Sequence, residues 1–282
     1  MLELTPFSKL AERYRVIFFD AYGVLKSSSG LIDGATDVLA WLTRTGKDVY
    51  VITNDASKSP SAMAASYAHP EYGELIPASK NISSGLLAKD FLRSKVKRGN
   101  VAYLGKESSA FYIRAAGLNP IPVSECTLEH EPRALALLDD EGFDWFSDLN
   151  RAVNLLRQVN IPVVVANADM AYPIDGERVG VAVGSLASMI EGIVAKTFVR
   201  FGKPDTMMFS YGFACAVAND DSITKEDILM VGDTLKTDIL GANTFGIDTA
   251  LVLSGNTLAK NAEVRIAASG IIPTYVCESI VT

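Results

Sequence analysis

Short apolar runs that read as strands alternate with helix-period stretches along this 282-residue chain, and that alternation limits the fold more than any other feature. The runs are Val16–Phe19, Val49–Thr53, Val101–Leu104, Leu135–Leu138, Ile161–Val165, Ile228–Val231 and Thr249–Leu253. Between them, Val38–Leu42, Leu149–Val159, Leu186–Val194 and Met207–Val217 carry apolar residues at helical spacing. A continuously apolar strand must be covered on both faces, and an intervening helix returns the chain for parallel pairing. The pattern therefore predicts an α/β fold with a mostly parallel sheet and helices on both sides. The length suits two domains of ordinary size, and 49% hydrophobic residues are enough to fill their cores.

Charge and rare residues remove several function classes. With 26 basic and 33 acidic residues the net charge is −7, opposite to the basic footprint that a phosphate backbone rewards, so no nucleic-acid partner is expected. No apolar run reaches the roughly 18 residues of a membrane span. The N-terminal MLELTPFSKLAERYR is charged throughout and lacks a signal-peptide stretch, which predicts a cytoplasmic protein without a membrane partner. The three cysteines, Cys126, Cys215 and Cys277, are far apart and form no CxxC pair, in keeping with a reducing compartment. The two histidines, His69 and His130, fall in loop-like sequence. Histidine-based zinc or acid–base chemistry is thus disfavoured, and carboxylates must carry any catalysis.

Four strand ends hold chemistry-bearing residues, and ligands of open α/β sheets bind just beyond such ends. In RVIFFDAYGVL (15–25) a buried strand ends at Asp20, which could equally cap a turn. In ILMVGDTLKTDILGANTFG (228–246) a strand ends at Gly232-Asp233, with Asp238 in the first turn of the next helix. Two carboxylates there suit a hard cation such as Mg²⁺, although Asp238 could also serve the helix dipole. Val51–Asp55 delivers Thr53, Asn54 and Asp55 to a turn. In FVRFGKPD (198–205) Lys203 precedes Pro204 at a helix start, where a cation opposes the dipole but would join free N–H groups in an anion site.

Taken in order, these segments resemble the four motifs of the haloacid dehalogenase (HAD) superfamily over nearly the whole chain. Asp20 matches the nucleophile, Thr53 the second motif, Lys203 the third, and Asp233 with Asp238 the fourth. The long insertion between the second and third motifs is similar in placement to the α/β cap of the NagD-like subgroup of sugar-phosphate, nucleotide, phosphoglycolate and pyridoxal phosphatases. There AVGSLASMIE followed by GKPD resembles the passage from cap back to core. NADMAYP (167–173) resembles the cap loop that faces the active site, which makes Asn167, Asp169 and Tyr172 expected substrate contacts beside Thr53, Asn54, Asp55 and Lys203. The resemblance implies a Rossmann-like HAD core (1–82 and 187–282) with an inserted cap (83–186). It further implies a phosphatase acting on a small phosphorylated metabolite, sugar-phosphate-like, through an aspartyl-phosphate on Asp20. Mg²⁺ would be held by Asp20, the main-chain carbonyl of Tyr22, Asp233 and Asp238. A homodimer is left open.

One residue departs from the motif. Such phosphatases usually carry a second Asp two positions after the nucleophile, as general acid and then base; this chain has Tyr22. A phenol with pKa near 10 is a poor base at neutral pH, and losing acid–base help costs roughly 10²–10⁴-fold in rate. Three readings stay open: a phosphatase that takes its acid from the cap, with Asp169 the candidate; a weakly active phosphate-binding or regulatory protein; and a haloacid dehalogenase, whose first motif DAYG also resembles. The remaining tempting stretches have bland explanations. GNVAYLGKE (99–107) misses phosphate-loop spacing, LLDDEGFDW (137–145) reads as a solvated loop, RSKVKRG (93–99) as a solvated helix end, and MMFSYGF as helix core.

Overall fold

The computed structural model describes residues 2–27, 29–174 and 178–281. Two parallel sheets organise them. The six-stranded sheet runs Tyr275–Cys277, Asp248–Val252, Ile228–Gly232, Val16–Phe19, Asp48–Thr53, Asn81–Ser83 in spatial order. Every neighbouring pair in it is parallel. Its central strand Val16–Phe19 is wholly buried, and its side chains divide between two apolar layers. Val16 and Phe18 join Ile52, Met208 and Phe209 on one face, while Ile17 and Phe19 join Leu39, Val51 and Leu229 on the other. Helix Thr206–Asn219 comes close enough that Gly212 is needed: a Cβ there would stand 2.9 Å from Ile52 and 3.0 Å from Phe18.

The five-stranded sheet runs Val199–Arg200, Val163–Val165, Ala134–Leu137, Asn100–Leu104, Asn119–Pro122, again all parallel. Helices Ser147–Gln158 and Val183–Val194 pack on it through Leu149, Leu155, Leu186 and Ile190. The chain leaves the first sheet after Asn81–Ser83 and returns only beyond Arg200, because Val199 pairs with Val164 and Arg200 with Val165. The return expected at 186/187 falls inside helix Val183–Val194, so we place the crossing after Arg200. Asn119–Pro122 is an outer strand with two prolines, where a missing N–H is tolerated. None of the helices among the described residues is long and apolar enough to cross a membrane.

Strand order fixes where chemistry can occur. From Val16–Phe19 the chain first extends the sheet through Asp48–Thr53 and Asn81–Ser83, and later adds Ile228–Gly232 on the opposite side. Connections therefore diverge between Val16–Phe19 and Ile228–Gly232, which opens a crevice at their carboxyl ends. Asp20 and Asp233 are the residues at its mouth. The second sheet stands over that edge, and the two enclose a cavity of about 850 Å³.

Candidate active site

Asp20 enters the cavity floor with its N–H bonded to the Val231 carbonyl, 2.9 Å away, so its backbone still follows the sheet. The chain then turns through Gly23 at φ +78°. A Cβ at Gly23 would fall 2.1 Å from Asp233 Oδ2, and one at Gly255 1.9 Å from the same oxygen. The Asp233 carboxylate is thus clasped between two bare backbone segments. It accepts hydrogen bonds from Asn256 N–H at 2.6 Å and from the Thr234 hydroxyl at 2.8 Å. Burial, reinforced by the charge of Asp20, pushes its pKa up to about 7.

Lys203 is 1% exposed, and its Nζ lies 2.7 Å from both Asp20 Oδ1 and Asp238 Oδ1. Burial alone would drive the ammonium toward neutrality, but Asp20, Asp238 and Asp169 outweigh it and keep the lysine charged. Asp238 is held by the Thr234 N–H at 3.0 Å; burial pushes its pKa well up while Lys203 opposes. Asp20, Asp233 and Asp238 each offer an oxygen within 4.8 Å of the others. Asp20 and Asp238 share one ammonium and Asp233 adds a third carboxyl beside them, an all-oxygen donor set that fits a hard divalent cation.

Thr53 ends its strand 2% exposed and accepts the Asp55 N–H at 3.1 Å, leaving its own proton free to face the cavity. Asp55 also lines the cavity, yet its oxygens are committed to Lys26 at 3.0 Å and to Ser57. Burial would raise its pKa, but these partners pull it below the usual range. Asn54, expected as a substrate contact, serves instead as a clamp. Its Oδ1 accepts the Lys203 N–H at 2.7 Å, and its Nδ2 donates to the Lys203 carbonyl at 3.1 Å and to Asp169 Oδ1 at 2.9 Å. Gly202 leaves room for this amide, since a Cβ there would meet Asn54 Oδ1 at 2.6 Å.

The cap loop comes down on the same floor. Asn167 and Asp169 both line the cavity, and Asn167 Oδ1 accepts the Asp169 N–H at 2.9 Å, which shapes the turn. Burial pushes Asp169 up to about 6, with Lys203 opposing and Asp20 adding to the rise. Tyr172 lines the cavity near Asp140, and burial raises its phenol pKa. Tyr22 is half-buried, its ring 4.1 Å from Lys26 Nζ, and burial raises its phenol pKa further. A phenol so placed can donate a hydrogen bond but does not serve as a neutral-pH base.

Sequence reasoning missed one wall. Lys106, Asp139, Asp140 and Glu141 line the cavity from the carboxyl ends of Asn100–Leu104 and Ala134–Leu137. LLDDEGFDW is not a solvated loop throughout: Asp139 is only 7% exposed. The available signal was the strand-end rule itself, applied to the second sheet as it was to the first.

The chain is similar to known proteins over nearly its whole length. Family models described as haloacid dehalogenase-like hydrolase and HAD-hydrolase-like match residues 17–119 and 200–282. Human chronophin (Homo sapiens) is 32% identical over 278 residues, 95% of this chain and 91% of its own. A crystal structure of a possible sugar phosphatase of the HAD superfamily from Cytophaga hutchinsonii is 48% identical, with a TM-score of 0.93 over 100% of this chain and 99% of that one. The glycerol phosphate phosphatase of Mycobacterium tuberculosis, solved in complex with magnesium, is 25% identical, with a TM-score of 0.75 over 96% of this chain and 77% of that one. The motif order, the two parallel sheets and these relatives together make the chain a member of the haloacid dehalogenase-like hydrolases.

Proposed function

We propose that this protein is a Mg²⁺-dependent phosphatase of a small, sugar-phosphate-like metabolite, working through an aspartyl-phosphate on Asp20. What carries this most is the Lys203 ammonium 2.7 Å from both Asp20 and Asp238, beside Asp233, at the floor of the cavity between the two sheets. Asp20, Asp233, Asp238 and the Tyr22 carbonyl would hold the cation, which offsets the repulsion between a carboxylate and a phosphate dianion. Lys203 and the free Thr53 proton hold the phosphoryl oxygens. Asp20 forms a bond to phosphorus as the bond to the leaving oxygen breaks.

In-line displacement puts the leaving oxygen on the side of phosphorus away from Asp20, toward the cap. Asp169 is the cavity-lining cap carboxyl tied to Lys203 through Asn54, and with a pKa of about 6 it suits both halves of the reaction. It gives its proton to the leaving oxygen, then takes one from the water that attacks the aspartyl-phosphate and frees Asp20. The three free cysteines fit a reducing, cytoplasmic setting.

Tyr22 favours one second reading, a phosphate-binding protein that turns over slowly. Phosphate release from matched aryl and alkyl phosphates, with and without Mg²⁺, separates the two. The phosphatase releases phosphate from both esters only with Mg²⁺, and Asp20→Asn abolishes release while the fold persists. Absence of release from either ester would leave the binding protein.

A further inference from the structure

The second sheet has a strand-end crevice of its own, and the proposed phosphoryl chemistry does not use it. From Asn100–Leu104 the chain adds Asn119–Pro122 on one side and then Ala134–Leu137 on the other. Connections thus diverge between Asn100–Leu104 and Ala134–Leu137, as they do beside Asp20 in the first sheet, and a ligand site is expected at the carboxyl ends. Gly105-Lys106 and Leu138-Asp139 stand at that opening. The two loops meet backbone to backbone. A Cβ on Gly142 would lie 2.7 Å from Lys106 Cα, and one on Gly105 3.1 Å from Asp139 N. This leaves little freedom to rearrange, so the groups presented here are set before anything binds.

Asp139 lines the cavity and is 7% exposed, and its Oδ2 has no hydrogen-bond partner among the described residues. Its other oxygen has only a 3.4 Å approach from the Glu141 N–H. A buried acceptor left unmade is unfavourable, and local packing offers no compensation. The surroundings are acidic. Asp140 and Glu141 follow in sequence, Lys106 is drawn to Glu141 at 2.5 Å, and the Asp55 facing Tyr22 is already paired with Lys26. The cavity's other cations, Lys203, Lys236 and Arg265, stand on the core side, Lys203 at the floor, Lys236 on the segment after Asp233 and Arg265 on helix Ala259–Ser269. The cap wall therefore offers one acceptor without a donor, Asp139 Oδ2.

We propose that Asp139 reads the organic half of the substrate, and that the class it selects is a polyol or sugar phosphate, whose hydroxyl supplies the missing donor. A phosphorylated carboxylic acid would bring an anion against Asp139, Asp140 and Glu141. A hydroxyl suits Asp139 in either protonation state, donating to the carboxylate or accepting from the acid, whereas an ammonium suits only the ionised form. Asp139's role in turnover presupposes the phosphatase chemistry proposed above.

The test uses the full chain with Mg²⁺ and compares kcat/KM for glycerol phosphate, propyl phosphate and phosphoglycolate, with an aryl phosphate as reference. Glycerol phosphate and propyl phosphate share a primary alkyl leaving group, so a general loss of catalysis cancels in their ratio. That ratio is expected at roughly 10-fold or more in the wild type. It falls to within about 3-fold in Asp139→Leu and to an intermediate value in the isosteric Asp139→Asn. Phosphoglycolate ranks below propyl phosphate in the wild type and gains on it in both variants. An unchanged ratio in both variants, or a wild type that prefers phosphoglycolate, overturns the assignment. The same three phosphates are titrated calorimetrically onto Asp20→Asn, with and without Asp139→Leu, where no turnover is needed. If the wild type leaves even the aryl phosphate intact, the phosphatase chemistry fails on its own. The binding preference for the hydroxyl, present or absent, then decides the subsite separately.

Discussion

Replacing Asp169 with asparagine removes a titrating proton while keeping a carbonyl oxygen for the Asn54 Nδ2 bond now made at 2.9 Å. The cap loop should therefore hold its position. Burial sets the Asp169 pKa at about 6, with Lys203 working against the rise, Asp20 and Asp55 for it, and the Asn54 bond lowering it. A carboxyl of that strength is protonated in roughly half of molecules at pH 6, about a tenth at pH 7 and about a hundredth at pH 8. If it protonates the leaving oxygen, kcat/KM for an alkyl phosphate falls roughly tenfold per pH unit above the inflection. An aryl ester with a good leaving group shows no such slope. A cation at Asp20 and Asp233 favours the ionised form of Asp169 and moves the inflection down, never up. Asp169→Asn should lower alkyl kcat/KM by roughly 10²–10³-fold at pH 6, flatten its slope, and change the aryl rate far less. Initial-rate phosphate release from pH 5 to 9 reads all three. An alkyl profile that keeps its slope in Asp169→Asn would refute the acid assignment, even if the variant is slow.

Two further outcomes follow from the buried charges. Lys203→Met leaves Asp20 and Asp238 without their shared cation, a loss of about 3–5 kcal/mol, which lowers the melting temperature by roughly 6–20 °C in a chain of this size. Scanning fluorimetry checks it, and a shift under about 2 °C would mean the carboxylates are not ionised together. The second outcome concerns pH. Asp233, with its pKa pushed up to about 7 in the folded state against 3.8 unperturbed, binds its proton more tightly folded than unfolded. Metal-free stability is therefore fullest below the unfolded value and declines as pH rises through the folded one. Mg²⁺ must displace that proton at pH 5.5 but not at pH 8, so its thermal stabilisation should be larger at pH 8. Equal shifts at both would place the cation elsewhere.

The fold was legible because central strands announce themselves. Val16–Phe19 and Ile228–Gly232 are buried on both faces and read as unbroken apolar runs. Outer strands were not legible. Asn119–Pro122 carries two prolines, and Val199–Arg200 and Asn81–Ser83 are too short to show a period. Asp20, Thr53, Asp233 and Asp238 stand where the sequence put them, at or just after strand ends, and Lys203 lies in the turn between strand Val199–Arg200 and helix Thr206–Asn219 rather than at the helix start. Asn54 and Asp139 show what lay outside reach. Asn54 sits beside Thr53 in sequence, and only the approach of the Gly202-Lys203 backbone and of the cap commits its amide to Lys203 and Asp169. Asp139 belongs to a run of acids that ordinarily means water, and only strand order in the second sheet draws it into a wall. In both cases the deciding contact lies far away along the chain.

Tyr22 gives these contacts a common consequence. With an acidic residue at that position, the proton donor would sit on the same turn as the nucleophile, and the core alone could protonate a leaving group. Here the cavity-lining carboxyl tied to the catalytic floor is Asp169, on the cap, and its hydrogen bond to the core runs through Asn54. Asn54 in turn holds both the N–H and the carbonyl of Lys203. Under the proposed chemistry, seating the cap loop, orienting the proton donor and fixing the phosphate-binding ammonium therefore share one amide. On that same chemistry, recognition of the organic half by Asp139 and protonation of its oxygen by Asp169 both come from residues outside the six-stranded sheet, whereas a donor on the nucleophile's own turn would separate the two tasks.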